Sequence, residues 1–183
     1  MNMNNRFVVP ETVTTLKGEV KTVVELGPNL FDFSPYREII LPKTVRKINW
    51  CFYSCRYLLD IFVHPENQHF KDIDGVLFTK DAAELVAFPN ARTGEYFIPE
   101  GTERISHFAF KTSHITTLHI PASVKEIGIN AFYDCHLSEI YLDGRNNLDD
   151  IQLGTICSLT PGAHSNPLCH FGNKTEYFQD LIK

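Results

Sequence analysis

Hydrophobic residues recur at fixed spacing in three stretches of the chain, and this repetition dominates the sequence. The stretches run from Leu41 to Val63, from Ile98 to Ile120 and from Ile120 to Leu142. Each begins with a hydrophobic residue and a proline, has an isoleucine six positions after the proline, and then a phenylalanine followed three positions later by cysteine or serine. The last two prolines are 22 residues apart. A unit this short cannot bury its own apolar face, so the copies must stack into a solenoid.

Each unit ends in a segment where apolar and other residues alternate, which is typical of a half-buried strand. The residues predicted to point inward are Ile39 and Leu41, Ile61 and Val63, Leu118 and Ile120, and Ile140 and Leu142. The Phe-x-x-Cys segment predicts a helical turn or less. A phenylalanine at the same position of every coil predicts an apolar ladder, with about 1.5–3 kcal/mol for each buried side chain. The predicted fold class is a β-rich α/β solenoid.

The chain is interpreted as a single domain over residues 1–183, with its clear repeats in residues 37–142. Residues 1–36 are interpreted as a degenerate N-terminal repeat that serves as a cap. In it, Val9-Pro10, Val13 and Leu16 match the opening of the repeat, whereas no Phe-x-x-Cys element is recognised.

A different pattern interrupts the repeats in residues 65–98. Asp74-Gly75 indicates a turn, and residues 76–79 and 84–88 read as two short strands, which predicts a β-hairpin insert. After Leu142 the pattern dissolves into Gly, Pro, Asn and Ser, so residues 143–183 are expected to form an irregular C-terminal cap. Residues 174–183 are predicted to form a short amphipathic helix.

Composition narrows the classes of partner. The net charge is −5 and the pI is near 5.9, which argues against nucleic acid because phosphate binding requires a basic stripe. No run approaches the ~20 apolar residues of a membrane span, and no membrane insertion is expected. The first residues lack the apolar segment of a secretory signal, so the chain as given is expected in the cytoplasm. The alternative is a secreted or cell-surface protein from which a leader has been removed.

Three of the five cysteines occupy repeat positions. Cys55 and Cys135 share one position, and Cys51 takes the place of Ala109 and Ala131, which favours a buried structural role. Cys157 and Cys169 lie outside the repeats, and the sequence leaves open whether they pair.

The repeat phrase resembles the BspA-type leucine-rich repeat family. The fullest match runs through Ile120-Pro121, Val124, Ile127-Gly128, Ala131-Phe132, Cys135, Leu137 and Ile140. The insert, with Asn67, Phe70 and residues 74–78, also resembles a unit found between repeats in that family. The resemblance implies a right-handed solenoid without catalytic activity. Many such proteins are found on bacterial surfaces, where they bind host proteins, other cells or matrix.

The strand alternation also predicts an outward-facing surface. One outward column consists of Ile40, Phe62, Phe97, His119 and Tyr141, and the adjacent column of Glu38, Asp60, Glu95, Thr117 and Glu139. Aromatic anchors beside a polar rim are typical of protein-binding surfaces. The alternative is that these side chains only cover one another across the strands.

Residue patterns for catalysis are weak. The eight histidines show no metal-type spacing, and no phosphate-binding loop, nucleophile elbow or metalloprotease helix is present. No catalytic residue, metal site or cofactor is therefore predicted, and the chain is not expected to be an enzyme. The preferred hypothesis is a protein-protein interaction module that binds through its exposed strand face. The alternative is a structural, self-associating surface protein or adhesin.

Overall fold

The computed structural model describes residues 5–145, 149, 151–153 and 167–177. All regular secondary structure in these residues is β-strand. The strands are β1 (Arg6–Val8), β2 (Thr12–Thr14), β3 (Val20–Thr22), β4 (Glu25–Leu26), β5 (Glu38–Leu41), β6 (Lys47–Ile48), β7 (Asp60–Val63), β8 (Phe70–Ile73), β9 (Val76–Thr79), β10 (Glu84–Ala87), β11 (Thr93–Phe97), β12 (Arg104–Ile105), β13 (His114–Ile120), β14 (Glu126–Ile127), β15 (Glu139–Leu142), β16 (Gln152–Leu153), β17 (Leu168–Phe171) and β18 (Lys174–Tyr177).

The chain winds as a β-solenoid of about five turns. Equivalent strands of successive coils pair in parallel and form sheets along the solenoid. One row is divided into two sheets, β1-β5-β7 and β11-β13-β15-β17-β18, and a second row contains β10-β12-β14-β16. The inward residues predicted from the alternation are all buried, from 0% exposure at Ile39 to 9% at Val63.

The α/β part of the predicted fold class is wrong, because the described residues contain no helix. The backbone between the two strands of a coil bonds to the next coil instead. The amides of Phe108, Phe110 and Thr112 donate to the carbonyls of Ile129, Ala131 and Tyr133 at 2.8–3.1 Å. In three coils, two residues with positive φ lie four positions apart, as at Phe108 and Thr112, and interrupt any right-handed helical path. The right-handed winding stays a prediction.

The predicted aromatic ladder is present in two sections. Phe31 stacks on Phe52 with ring centroids 5.4 Å apart. Phe110 contacts Phe88 at 4.9 Å on one side and Phe132 at 5.6 Å on the other. All five rings are at most 6% exposed. Phe31 and Phe88 were not assigned to the ladder from the sequence.

The N-terminal repeat is more regular than its sequence pattern predicts. Val13 and Leu16, which were aligned with core positions, are exposed in the hairpin β2-β3. The core position belongs to Leu26 of β4, which pairs with Ile48 of β6. Phe31 and Ser34 form the Phe-x-x-Ser element that was not recognised. The hairpin β2-β3 is thus an insertion that lengthens this unit, and the aromatic position is kept.

The two strands predicted for residues 76–79 and 84–88 are present as β9 and β10, which pair antiparallel, and β8 is a third strand that the sequence did not indicate. β8, β9 and β10 form an antiparallel meander, and its last strand joins the second row of the solenoid through parallel pairing with β12. The central strand is buried on both faces. Leu77 belongs to the N-terminal apolar core, whereas Val76 and Phe78 belong to the C-terminal one. Strand alternation thus lets one short segment supply both cores.

The turn of this insert also covers the edge of β7. The amide of Ile61 donates to the carbonyl of Gly75, and the amide of Val63 donates to Asp72 Oδ1, both at 2.8 Å. Arg92 fastens the turn, because its guanidinium bonds Asp60 Oδ1 at 2.5 Å and the carbonyl of Asp74. An edge strand that would otherwise expose unpaired amides is closed in this way.

The C-terminal segment was expected to be irregular, but its described residues continue both rows of the solenoid. β16 pairs with β14, and β17 pairs with β15, each in parallel. β18 then turns back through Gly172-Asn173 as an antiparallel partner of β17. The helix predicted for residues 174–183 is wrong for residues 174–177, which are strand, and the remainder lies outside the described residues.

The substitution Phe110→Ala is expected to lower the free energy of unfolding by about 3–5 kcal/mol, because it removes the ring that joins two ladder neighbours. Urea denaturation followed by circular dichroism measures this change. Phe97→Ala, at a ring that is 58% exposed, is the matched control and should cost about 1 kcal/mol or less. Equal losses in the two variants would contradict the ladder as the dominant stabilising feature.

The substitution Gly75→Ala should destabilise the fold by about 2 kcal/mol, since a Cβ there displaces the Asp60–Arg92 ion pair and adds backbone strain. Gly75 has φ of 73°, and a Cβ there would collide with the Asp60 carboxylate and the Arg92 guanidinium. Gly101, with φ of 87° and open space around its Cβ position, supplies the control Gly101→Ala. Thermal unfolding of both variants separates the collision from the strain that they share. A loss no larger than that of the control would show that the turn is not tightly held.

Candidate functional site

The predicted outward column is divided into two patches by the insert. In the first, Val8, Ile40 and Phe62 lie side by side on β1, β5 and β7. In the second, Phe97, His119, Tyr141 and His170 lie side by side on β11, β13, β15 and β17. We call these the N-terminal patch and the aromatic stack. Ile40 and Phe62 are therefore not continuous with the other three predicted residues.

The aromatic stack consists of four nearly parallel rings. Ring centroids are 4.0 Å apart between Phe97 and His119, 4.6 Å between His119 and Tyr141, and 4.4 Å between Tyr141 and His170. The interplanar angles are 15°, 5° and 14°. Parallel strand pairing sets this geometry, because it places equivalent side chains on neighbouring strands directly beside one another.

Carboxylates surround the aromatic stack. His119 Nε2 lies 2.8 Å from Glu95 Oε1, and His119 Nδ1 lies 3.5 Å from Asp143 Oδ2. The Tyr141 hydroxyl donates to Glu139 Oε2 at 2.8 Å, and the same oxygen is 4.0 Å from His170 Nε2. Within the described part of the chain, no lysine or arginine pairs with these three acids. The surface around the rings therefore carries uncompensated negative charge whenever the histidines are neutral.

The acids of the N-terminal patch are already paired with arginine. Glu38 Oε2 lies 2.6 Å from Arg6 Nε, and Asp60 Oδ1 lies 2.5 Å from Arg92 Nη2. The two patches therefore differ in charge, although their acid columns look alike in sequence.

His170 is a member of the stack that sequence reasoning missed. The signal was the alternation of Leu168 to Phe171, in which Cys169 and Phe171 are buried and His170 faces outward. It went unrecognised because no repeat was aligned beyond residue 143. Cys169 and His170 point to opposite faces of β17, since Cys169 is buried and His170 belongs to the stack. Cys157 lies outside the described residues, so its pairing with Cys169 stays open.

The negative charge of this surface affects the pKa of the Tyr141 hydroxyl. Its hydrogen bond to Glu139 raises the pKa of Tyr141 above its ordinary value, and the negative charge of Glu139 and Glu95 adds to the rise. The physical cause is that the phenol donates to a carboxylate, an interaction that the phenolate cannot make.

The repeat cysteines are buried, as predicted. Burial raises the pKa of Cys55 to about 12 and that of Cys135 to about 11. Cys55 donates its thiol proton to the carbonyl of Phe31, with Sγ and O 3.2 Å apart. A thiol this far from ionisation at neutral pH is no nucleophile, which agrees with a packing role.

Within the described ranges, no helix is long and apolar enough to cross a membrane.

Comparisons with known proteins identify the class of repeat. The profile of the BspA type leucine rich repeat region matches residues 11–94 and 84–159 in six copies. The chain therefore belongs to the BspA-type leucine-rich repeat family, a group of solenoid repeat proteins. A search of curated proteins found no match.

Solved structures support the same fold. A leucine-rich repeat protein from Eubacterium ventriosum is similar with a TM-score of 0.68 and 24% identity, over 81% of this chain and 37% of that one. The pneumococcal vaccine antigen PcpA is similar with a TM-score of 0.58 and 23% identity, over 75% of this chain and 39% of that one. This chain thus spans less than two fifths of either protein.

The substitution Glu139→Gln is expected to lower the pKa of Tyr141 toward its ordinary value, because it removes the charged acceptor. The Tyr141 resonance, assigned by its loss in Tyr141→Phe, can be followed by NMR during an alkaline titration. Glu126→Gln is the control, since Glu126 pairs with Arg104 away from the stack. An unchanged Tyr141 titration in Glu139→Gln would show that the hydrogen bond is not formed in solution.

Proposed function

We propose that this chain is a non-enzymatic protein-interaction module that binds its partner on the exposed strand face. The observation that carries the proposal is the aromatic stack, in which four rings form a continuous surface beside three acids. Solenoids offer extended surfaces of this kind, and aromatic residues at the centre of an interface supply much of the binding energy. Family membership supports an interaction or surface role in general, and the specific site rests on the geometry.

The charge pattern favours one patch and one kind of partner. Glu95, Glu139 and Asp143 lack arginine or lysine partners among the described residues, so a basic side chain of a partner can pair with them at little cost. Phe97 lies at the end of the stack, and within the described residues only one face of its ring contacts another ring. A lysine or arginine placed on the other face would gain a cation–π contact. The proposed partner is therefore a polypeptide segment rich in basic residues.

A second candidate function is self-association in a structural or adhesive surface protein. The observation that favours it is β18, whose four residues are all exposed at the end of a five-stranded sheet. Exposed edge strands pair readily with other chains. Light scattering separates the two functions, because self-association through this edge predicts a mass that rises with concentration.

For localisation we keep the cytoplasm as the proposal for the chain as given. Cys51, Cys55 and Cys135 are all buried in the core, which suits a reducing compartment. The cell surface is the alternative implied by the family. Cell fractionation with an antibody against the chain distinguishes the two.

The double variant Phe97→Ala/Tyr141→Ala is expected to lose the partners that the wild-type chain retains in a pull-down from its native environment. The matched control is Ile40→Ala/Phe62→Ala, which removes the same kind of surface from the N-terminal patch and should retain them. Glu95→Gln/Glu139→Gln should retain fewer partners than wild type and reduce the sensitivity of capture to salt.

Thermal unfolding of each variant verifies that the fold is intact before the pull-down is interpreted. If both double alanine variants retain the same partners, the rings serve only to cover the sheet. Loss of partners in the N-terminal variant alone would move the interface to the other patch and overturn the assignment.

A further inference from the structure

The coil that follows the hairpin is shorter than its neighbours. Leu85, Ile105 and Ile127 are paired in register, but the ladder phenylalanine follows Leu85 after three positions and follows the other two after five. Two residues are thus missing from the segment that joins strand and ladder. The short coil is therefore recessed between its two neighbours, and we call this recess the notch. Across it, the ring centroids of Trp50 in the preceding coil and Phe108 in the following coil are 6.0 Å apart.

The notch is a shallow pocket with a cavity volume of about 80 Å³, and part of it is open to solvent. Its floor comes from residues 86–88 of the short coil. Its walls come from residues 48 and 50–53 on one side and from residues 106–109 and 111 on the other. Tyr53 and Phe108 pack across it with ring centroids 4.7 Å apart. This volume is smaller than that of typical small-molecule sites, so a bound ring would lie partly in solvent, against the exposed side chain of Trp50.

Two aromatic residues at the notch occupy backbone positions that suit them poorly. Trp50 has φ of 46° and Phe108 has φ of 59°, in the left-handed region. The equivalent position in the flanking repeats is asparagine, at Asn29 with φ of 60° and Asn130 with φ of 55°. Asparagine tolerates this conformation better than a bulky aromatic residue does. Trp50 is also 54% exposed, so burial in the core does not account for its presence.

The polar groups of the notch are suited to an anion. The Lys111 ammonium lies 4.3 Å from the Tyr53 ring centroid and 5.4 Å from that of Phe108. Among the described residues, no acid forms an ion pair with it. His107 Nδ1 accepts the amide of Ile129 at 2.7 Å, so the neutral ring carries its proton on Nε2, where it can donate. The Tyr53 hydroxyl is buried without a hydrogen-bond partner in the described residues.

From these features we infer that the notch is a binding site for a small organic anion with an aromatic body. The ring of the ligand lies against Trp50 and Phe108, and its carboxylate pairs with Lys111. The site is separate from the aromatic stack and independent of the function proposed for it. The short coil creates the space, and the aromatic residues in left-handed positions line it.

The experiment uses 3-phenylpropionate as the probe, with 3-phenylpropionamide and 3-phenylpropylamine as its neutral and cationic counterparts. Trp50 is the single tryptophan of the chain, so its fluorescence reports occupancy directly. The carboxylate is expected to change this fluorescence saturably and to bind at least about tenfold more tightly than the amide, with the amine weakest. Lys111→Met, which keeps the apolar stem, should abolish the preference for the carboxylate. Lys17→Met makes the same change of charge on the exposed β2-β3 turn and should bind as wild type does.

The variants Trp50→Asn and Phe108→Asn test whether these two rings bind the ligand. Neither change should unfold the protein, because asparagine occupies the same position in the flanking repeats. Both are expected to fold, as seen by circular dichroism, and to lose binding of the carboxylate measured by calorimetry. Folded asparagine variants that bind as tightly as wild type would overturn the proposal. So would equal affinities for the three probes, or no saturable binding to the wild-type chain.

Discussion

Pairing of each coil with the next in a constant register is the constraint on which the rest of this structure depends. A segment of about 22 residues has too little apolar surface to fold alone, and its backbone amides need partners outside itself. The strands supply part of that pairing. The amides of Phe108, Phe110 and Thr112 supply more of it, at the position where the sequence predicts a helical turn or less. Because equivalent residues are forced into register, a favourable side chain in one coil is placed beside its copy in the next.

The same constraint produces both the core and the surface. Inside, it places Phe88, Phe110 and Phe132 in contact and so creates a ladder. Outside, it stacks Phe97, His119, Tyr141 and His170 with interplanar angles of 15° or less. A surface of stacked rings is thus a direct consequence of the repeat. The aromatic stack differs from the N-terminal patch in its charge. The acids beside the N-terminal patch form ion pairs with arginine, whereas those around the stack have no arginine or lysine partner among the described residues.

The hairpin insert is the main departure from regularity, and it has three consequences. It divides the apolar interior into two cores, which share strand β9. It closes the edge of β7 through Gly75 and Asp72, which interrupts the outward column of aromatic residues. It also leads into a coil two residues short, beside which Trp50 and Phe108 meet. Interruptions of a repeat are places where surfaces unlike those of the regular coils can form, and the notch is one of them.

The sequence by itself determined the repeat, the inward residues, the burial of the repeat cysteines, the hairpin after Asp74-Gly75 and three members of the aromatic stack. These follow from local periodicity, which records which side of a strand a residue faces. Tertiary structure alone decided that no helix forms in the described coils, since that depends on amides bonding to a neighbouring coil. It also decided that Leu26 and Phe31, rather than Val13 and Leu16, fill the first coil, because an inserted hairpin shifts the alignment. The division of the outward column and the addition of His170 are likewise tertiary, because both depend on which strands lie beside one another.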